Sequence, residues 1–248
     1  MRRHRATAGP IFLVVATAVL VPALSIPATA QTAAFQHQVG IQAYFAQGSS
    51  PGATWTSTLW RLEYAGVHPT SPFGLSAAVL GGGGMGETFW TVGASYRLPL
   101  RSMAAGAAQP VVRVKAEYGS FRFNVPGGQA TSAGVGFGLE AALPLGAPRG
   151  GHLALVADYV SFGSNATTAP LGSGAGPVST YTLALVYKPA RAGAQGPAPG
   201  VIYAGGPDRE LMGEDWAFTA GARSISAEVP FTSRHTWTGF FIGVSKSF

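Results

Sequence analysis

Cysteine is absent from the 248-residue chain, and charged residues make up only 10% of it. Without cysteine the chain has neither disulfides nor a thiolate metal site. Soluble domains usually carry about 25% charged residues, so the scarcity of charge argues against an ordinary water-facing surface. Hydrophobic residues reach 47%, which excludes a disordered chain. After residue 30 there is no run of about 18 apolar residues, so no transmembrane helix is predicted.

The excess of basic residues is partly confined to one end of the chain. Lys and Arg number sixteen against ten Asp and Glu, but Arg2, Arg3 and Arg5 lie within the first five residues. The thirteen basic residues that remain after residue 30 nearly balance the acidic ones. We therefore expect no nucleic-acid partner, because that class of protein has a concentrated basic surface.

The first thirty residues have the layout of a secretory signal peptide. A basic start is followed by the apolar run 11–21 and by the small-x-small sequence at 28–30. The alternative is a membrane anchor, but the run is shorter than the ~20 residues that a spanning helix needs. We expect residues 1–30 to be removed near Ala30, which leaves 31–248 as one domain.

The mature chain alternates between apolar and polar residues. In 111–118, for example, charged Arg113 and Lys115 lie between apolar neighbours. Such alternation predicts β-strands with one apolar face and one polar face. Ten segments show the pattern: 35–46, 54–66, 72–80, 87–98, 110–119, 132–143, 151–162, 178–189, 214–226 and 236–248.

These segments predict an all-β protein, an antiparallel up-and-down transmembrane β-barrel. Ten strands are favoured, and eight remain the alternative, since 214–226 is the weakest segment and follows a connection near 190–213 of unknown role. The apolar face carries aromatic residues near both strand ends, as the two interfaces of a membrane barrel do. One predicted belt contains Tyr64, Tyr96, Tyr187 and Phe248, and the other contains Trp90, Tyr118, Tyr159 and Tyr181.

The last strand carries a recognisable pattern of apolar residues at alternate positions with an aromatic residue at the end. The matching positions are Phe240, Ile242, Val244 and Phe248, whereas Lys246 departs from the pattern. In this the chain resembles the small Gram-negative outer-membrane β-barrel proteins, OmpA-like and porin-like. The resemblance implies an outer-membrane location, with membrane lipid and the barrel-assembly machinery as partners, the latter reading the last strand as an assembly signal.

Most charges within the strands lie on the face predicted to line the lumen. The network expected there consists of Arg61, Glu63, Arg97, Arg113, Lys115, Glu117, Glu140 and Asp158, joined by Glu87, Lys188 and Arg223. Barrels of this size are nearly filled by side chains, so we expect a mostly filled lumen. The favoured function is a structural or surface-binding membrane protein, and the alternative is a narrow passive channel for ions or small solutes.

The strands on either side of 119–131 allow a prediction of register. If this loop folds symmetrically about residue 125, Arg113 lies opposite Gly136 or Gly138, and Lys115 lies opposite Gly134 or Gly136. The glycines would then leave space for the long charged side chains, or else ease the curvature of the barrel.

Sequence patterns that would indicate a catalytic site are weak. Glu228, Ser233 and His235 form the best candidate cluster for catalysis, but Ser-x-His near Glu is common by chance. We therefore predict no enzyme, no cofactor and no metal site, and we rank a membrane hydrolase or a secreted lipocalin-like carrier below the two functions above. Any extracellular ligand is expected at loops 47–53, 119–131 and 162–177.

Overall fold

A computed structural model describes eleven segments of the chain: 36–50, 52–67, 71–82, 87–100, 110–125, 128–146, 151–163, 166–167, 177–189, 216–229 and 233–247. The expected signal peptide and its cleavage site lie outside the described residues, and so do Phe248 and the connection near 190–213. The strands are β1 (Gln36–Ser50), β2 (Ala53–Val67), β3 (Phe73–Gly81), β4 (Thr88–Arg97), β5 (Val111–Val125), β6 (Gly128–Gly146), β7 (His152–Phe162), β8 (Ala166–Thr167), β9 (Val178–Lys188), β10 (Trp216–Val229) and β11 (Ser233–Ser247).

Ten of these strands close into an antiparallel barrel. Each strand pairs with its neighbour in the chain, β7 pairs with β9, and β11 pairs with β1 to complete the ring. The two-residue β8 pairs only with β6, opposite Ser132 and Ala133, and stands outside the ring. The prediction of an all-β barrel with ten strands is confirmed, including the strand in 214–226.

The strands are steeply tilted against the barrel axis. Register partners followed once around the ring from Gln36 lead back to Gly48, twelve residues further along β1. Strand number and stagger together set the width of a barrel, and a ten-strand ring is narrow enough for side chains to fill most of it. We call the end with the β1–β2, β5–β6 and β10–β11 turns the hairpin end, and the end with Gln36 and Ser247 the terminal end.

The alternation in the sequence separates an apolar outer surface from the lumen. Phe240 is 75% exposed on the outside, whereas its neighbour Phe241 is buried in the lumen. Ile41 and Phe45 point outward from β1 in the same way, and Tyr44 between them points inward. An apolar surface of this kind surrounds the barrel, which is the arrangement of a membrane barrel and the reverse of a soluble one.

The aromatic residues on the outer surface form pairs near both ends. Towards the hairpin end the rings of Trp90 and Tyr118 lie 5.7 Å apart. Those of Tyr159 and Tyr181, in the same belt, lie 4.7 Å apart. At the terminal end the hydroxyl of Tyr64 lies 2.7 Å from the imidazole Nδ1 of His37.

Two segments expected to be loops are strand. The structure carries β1 and β2 through most of 47–53, since β1 ends at Ser50 and β2 begins at Ala53, and Gly52 has a φ of 80°. It likewise extends β5 to Val125 and begins β6 at Gly128. Gly119 and Ser120 resemble a turn in the sequence, but the inward-facing phenylalanines beyond them continue the alternation and keep the strand paired. Most of the third expected loop, 162–177, lies outside the described residues.

No helix long and apolar enough to cross a membrane occurs in the part of the chain that the structure describes.

Candidate functional site

The lumen at the hairpin end is filled by aromatic rings, which we call the aromatic plug. Its members are Trp55, Phe89, Phe121, Phe123, Phe162 and Trp237. Trp237 is 0% exposed and lies at the centre, with its ring 5.4 Å from that of Phe89 and 5.8 Å from that of Phe123. Six rings from five strands thus replace water across this end of the barrel.

Glycines in the neighbouring strands make room for the plug. A Cβ atom at Gly136 would lie 2.5 Å from the ring of Phe162, and one at Gly119 would lie 2.8 Å from the same ring. A Cβ atom at Gly48 would lie 2.2 Å from the indole of Trp55. Contacts below 3 Å are too short for real side chains, so these positions require glycine while the rings stay in place.

Several polar atoms are buried among the rings. The indole Nε1 of Trp55 donates a hydrogen bond to Glu87 Oε1 over 3.2 Å. Glu87 is 1% exposed and His235 is 2% exposed. Glu87 Oε2 and both ring nitrogens of His235 have no hydrogen-bond partner among the described residues. Such atoms cost free energy in a packed interior, so this end of the lumen is costly to maintain.

Below the plug the lumen contains charged side chains. Lys115 on β5 donates to Asp158 Oδ1 on β7 over 3.0 Å, and its Nζ lies 2.9 Å from Glu117 Oε1. Arg113 forms a buried ion pair with Glu140. The charges therefore neutralise one another within the lumen, as buried ions must.

On the opposite wall, Arg61 and Glu63 form a second ion pair. Arg61 Nε lies 3.2 Å from Glu63 Oε2, and the amide of Gln42 donates to Glu63 Oε1 over 2.9 Å. Arg97 also faces the lumen, beside Arg113 in register, and forms no ion pair among the residues that the structure describes. The structure thus brings seven of the eight predicted network residues into ion pairs.

The predicted register between β5 and β6 is wrong by two residues, even for the nearer of the two predicted alternatives. Arg113 lies opposite Glu140, and Lys115 lies opposite Gly138. The reason is that the strands pair as far as Val125 and Gly128, so the pairing is centred between positions 126 and 127 instead of at residue 125. Arg113 consequently meets a carboxylate on the neighbouring strand, and not a glycine.

Gly138 lies between the two partners of an ion pair. Lys115 on β5 reaches Asp158 on β7, so its side chain crosses β6 at the level of Gly138. A Cβ atom at Gly138 would also lie 2.1 Å from the carbonyl oxygen of Tyr159. The missing side chain therefore leaves the path of the Lys115 side chain open and allows β6 and β7 to approach closely.

Arg223 on β10 is another of the cations that the sequence predicts in the lumen. It is 5% exposed, its Nε donates to Thr182 Oγ1 over 3.2 Å, and its guanidinium lies 4.7 Å from the centre of the Phe241 ring. Its inward direction follows from the strict alternation along β10, where Ile225 is also buried.

Three of the four predicted assembly-signal residues can be placed. Phe240, Ile242 and Val244 face outward from β11, whereas Phe248 lies outside the described residues. The ammonium of Lys246 lies 5.8 Å from the centre of the Trp216 ring, on the outer surface at the terminal end. A long side chain in that place can extend its charge to the membrane interface.

The cluster proposed for catalysis does not come together. His235 points into the plug, whereas Glu228 lies exposed on the outside, 3.6 Å from Arg234. Side chains on opposite faces of a strand pair cannot act on one substrate. Among the described residues, no group of three or more His, Asp or Glu side chains is placed to hold a metal ion.

Comparisons with known proteins give structural matches alone. No protein-family model and no curated protein sequence matches the chain. Among solved structures, the chain is similar to Neisserial surface protein A at 12% identity, with 86% of this chain and 97% of that chain covered and a TM-score of 0.35. It is similar to the translocator domain of the autotransporter NalP from Neisseria meningitidis at 11% identity, with 96% and 95% covered and a TM-score of 0.39. It is also similar to Ail of Yersinia pestis at 10% identity, with 87% and 99% covered and a TM-score of 0.29.

Similarity at this level carries no argument about the function of this chain. The chain has the fold of a small outer-membrane β-barrel, on the strength of its closed ring of ten antiparallel strands and its apolar outer surface.

Proposed function

We propose that the chain is an integral outer-membrane protein with a closed lumen, which acts as a structural element or binds partners at its surface. The observation that carries the proposal is the aromatic plug, in which Trp237 is fully buried between Phe89 and Phe123. Ions crossing the barrel would have to displace these rings. The ion pairs below the plug form a second layer that a solute would have to disrupt.

The proposed location rests on the outer surface of the barrel. Apolar side chains cover it, and aromatic belts lie near both ends, where amphipathic rings prefer the level of the lipid headgroups. We include in this proposal the removal of residues 1–30 near Ala30 and the recognition of the last strand, with Phe240, Ile242, Val244 and Phe248, by the barrel-assembly machinery.

A surface-binding role would use the hairpin end. The β1–β2 and β5–β6 hairpins continue as paired strands beyond the aromatic belt, as far as the pairs Ser50–Ala53 and Val125–Gly128. Paired strands present a more ordered surface than free loops, which favours recognition with little ordering cost. Segments 47–53 and 119–131, together with 162–177, are the proposed places for an extracellular ligand.

Conductance of the purified barrel in planar lipid bilayers tests the closed lumen. We expect membranes that contain the unmodified protein to show no steps of current above the lipid background, at either sign of voltage. Insertion is verified on the same sample by protection of the strands from added protease. Reproducible steps from inserted protein would overturn the proposal and favour the channel.

A narrow channel is the second candidate, because the wall between the plug and the terminal end is polar. Arg61 and Glu63 are partly exposed there, and Thr182 and Asp158 face the same space. If the channel is correct, the steps of current should depend on the sign of the ion, since these charges face the space that an ion would cross.

A further inference from the structure

One edge of the β1–β2 hairpin has no neighbouring strand at the hairpin end. β1 and β2 pair along their whole length, up to Ser50 and Ala53. β3, however, pairs with β2 only between Trp60 and Val67. On the side that faces β3, residues 53–59 therefore have no strand partner among the residues that the structure describes. We call this stretch the free edge of β2.

The backbone of the free edge is directed towards the open side. The carbonyl oxygen of Thr58 lies beside Gly82, the residue that follows β3, and so points to the side of β3. Alternate residues of a strand direct their N–H and C=O groups the same way, so those of Thr54 and Thr56 point there too. Within the described part of the chain, these backbone groups are available to an added strand.

The sequence of the free edge lacks the features that usually prevent pairing with other chains. Exposed edges commonly carry charges, proline or a bulge. Residues 53–59 read ATWTSTL, without charge, proline or glycine. The exposed threonines at 54, 56 and 58 are β-branched and therefore suit a further pairing.

The barrel itself shows an added strand on a comparable edge. From Gly136 towards the hairpin end, β6 is no longer paired with β7. There the two-residue β8 lies against Ser132 and Ala133, outside the ring. The wall beyond the ring thus accepts an extended segment.

The free edges of two copies do not fit one another. Barrels inserted the same way in one membrane are related by a rotation about the membrane normal, so both β2 strands run from the hairpin end to the terminal end and cannot pair antiparallel. With the two edges facing each other, the strands cross at roughly 70–90°, twice the usual tilt of barrel strands. Strands that cross so steeply form no ladder of hydrogen bonds.

We propose that the free edge of β2 binds an extended, uncharged segment of another protein, which adds to the barrel wall as a further strand. This inference rests on the surface-binding role proposed above and names the class of its partner. Backbone hydrogen bonds to Thr54 and Thr56 supply the affinity, and alternate side chains supply the specificity. Side chains on one face of the added strand contact the threonines, and those on the other face lie beside Trp55, where a charge would lose its hydration.

Amide hydrogen exchange, measured by NMR on the purified barrel in detergent micelles, tests whether the edge is open. The N–H groups of Trp55 and Ser57 face β1, whereas those of Thr54 and Thr56 face the open side. We expect the two threonine amides to exchange about 100-fold faster than the other two. Equal protection of all four would show that the edge is already covered and would overturn the proposal.

The binding probe is a synthetic peptide of alternating threonine and valine, N-methylated at every second amide so that only one of its edges can pair. In about tenfold excess over its Kd, it should slow the exchange of the Thr54 and Thr56 amides about tenfold. A control peptide methylated at every amide should have no effect, because it has no N–H donor. No protection by the first peptide, or equal protection by both, would overturn strand addition.

Two substitutions at Thr56 separate recognition of the backbone from recognition of the side chain. Thr56→Pro removes an N–H on the open side and leaves the pairing with β1 in place, so the peptide should no longer protect Thr54. Thr56→Val keeps the N–H, so protection should persist. Loss of protection in both variants would show that the hydroxyl is recognised and would overturn the proposal. If Thr56→Pro fails to fold, the two peptides decide.

Failure of this inference can be told apart from failure of the proposed function. Peptide protection confined to strands other than β2 would keep a surface-binding role and overturn the site alone. Steps of current from the same preparation in planar bilayers would refute the closed lumen, whatever the peptide does.

Discussion

Lys115 shows how the absence of one side chain shapes the barrel interior. Its ammonium group binds a carboxylate on its own strand and another on β7, two strands away. The second contact is open to it because Gly138 on the intervening strand has no side chain in the path. A lysine shared by two buried carboxylates must stay charged, so this contact holds three strands in one arrangement.

Replacement of Gly138 by alanine should destabilise the barrel. The new Cβ atom would collide with the carbonyl oxygen of Tyr159, which belongs to the backbone and cannot move alone. We expect the free energy of unfolding to fall by about 3 kcal/mol, measured by urea titration in detergent. Gly163→Ala is the matched control, because its Cβ atom would have only an ordinary contact at 3.9 Å. Equal effects of the two substitutions would contradict this account.

Replacement of Lys115 by methionine should be more costly, because it leaves Glu117 and Asp158 buried without their common cation. The expected loss in the free energy of unfolding is about 3–5 kcal/mol. A second substitution, Asp158→Asn, should restore part of this loss by removal of one unpaired charge. If the double variant is as unstable as the sum of both single variants, Lys115 and Asp158 do not interact.

At the scale of the strands, the sequence predicts that each strand exists and which of its residues face the lumen. It does not predict where a strand ends or how neighbouring strands are aligned. Alternation marks all ten barrel strands, since a period of two leaves no doubt about which residues share a face. The part of β5 beyond Gly119 and Ser120 is not predicted as strand, because glycine and serine are also common in turns. The pairing of Val125 with Gly128 then sets the register, which places Arg113 opposite Glu140.

The last strand, β11, pairs with β1 and β10 and so closes the ring. We expect deletion of Phe248 to reduce the amount of folded barrel in the outer membrane by several-fold while export across the inner membrane continues. Folded and unfolded protein are distinguished on gels by migration without and with boiling. Phe73→Ser, which removes an outward aromatic residue at the same end of another strand, is the control. An unchanged yield after the deletion would argue against an assembly signal at this end.

At the scale of the whole molecule, the lumen has two layers that lie in series. The ionic layer follows from the inward positions of the charged residues, which the alternation predicts. The aromatic plug does not, because its members belong to five strands and only the closed ring brings their rings together. The free edge of β2 depends on the register between β2 and β3 as well, which no local pattern contains.

Because the aromatic plug and the ionic layer lie in series, substitutions can test separately which of them closes the lumen to ions. The network variant, Lys115→Met with Asp158→Asn, should stay closed in planar bilayers because the plug is intact. The plug variant, Phe123→Ala with Trp237→Ala, should pass small currents, and the combination of all four substitutions should pass larger ones, since the ion pair between Lys115 and Asp158 no longer crosses the lumen. Each variant is first checked for slow unfolding in SDS, because loss of large buried rings costs about 3–5 kcal/mol apiece. Currents through the network variant alone would show that the plug does not seal the barrel and that the charged layer is its gate.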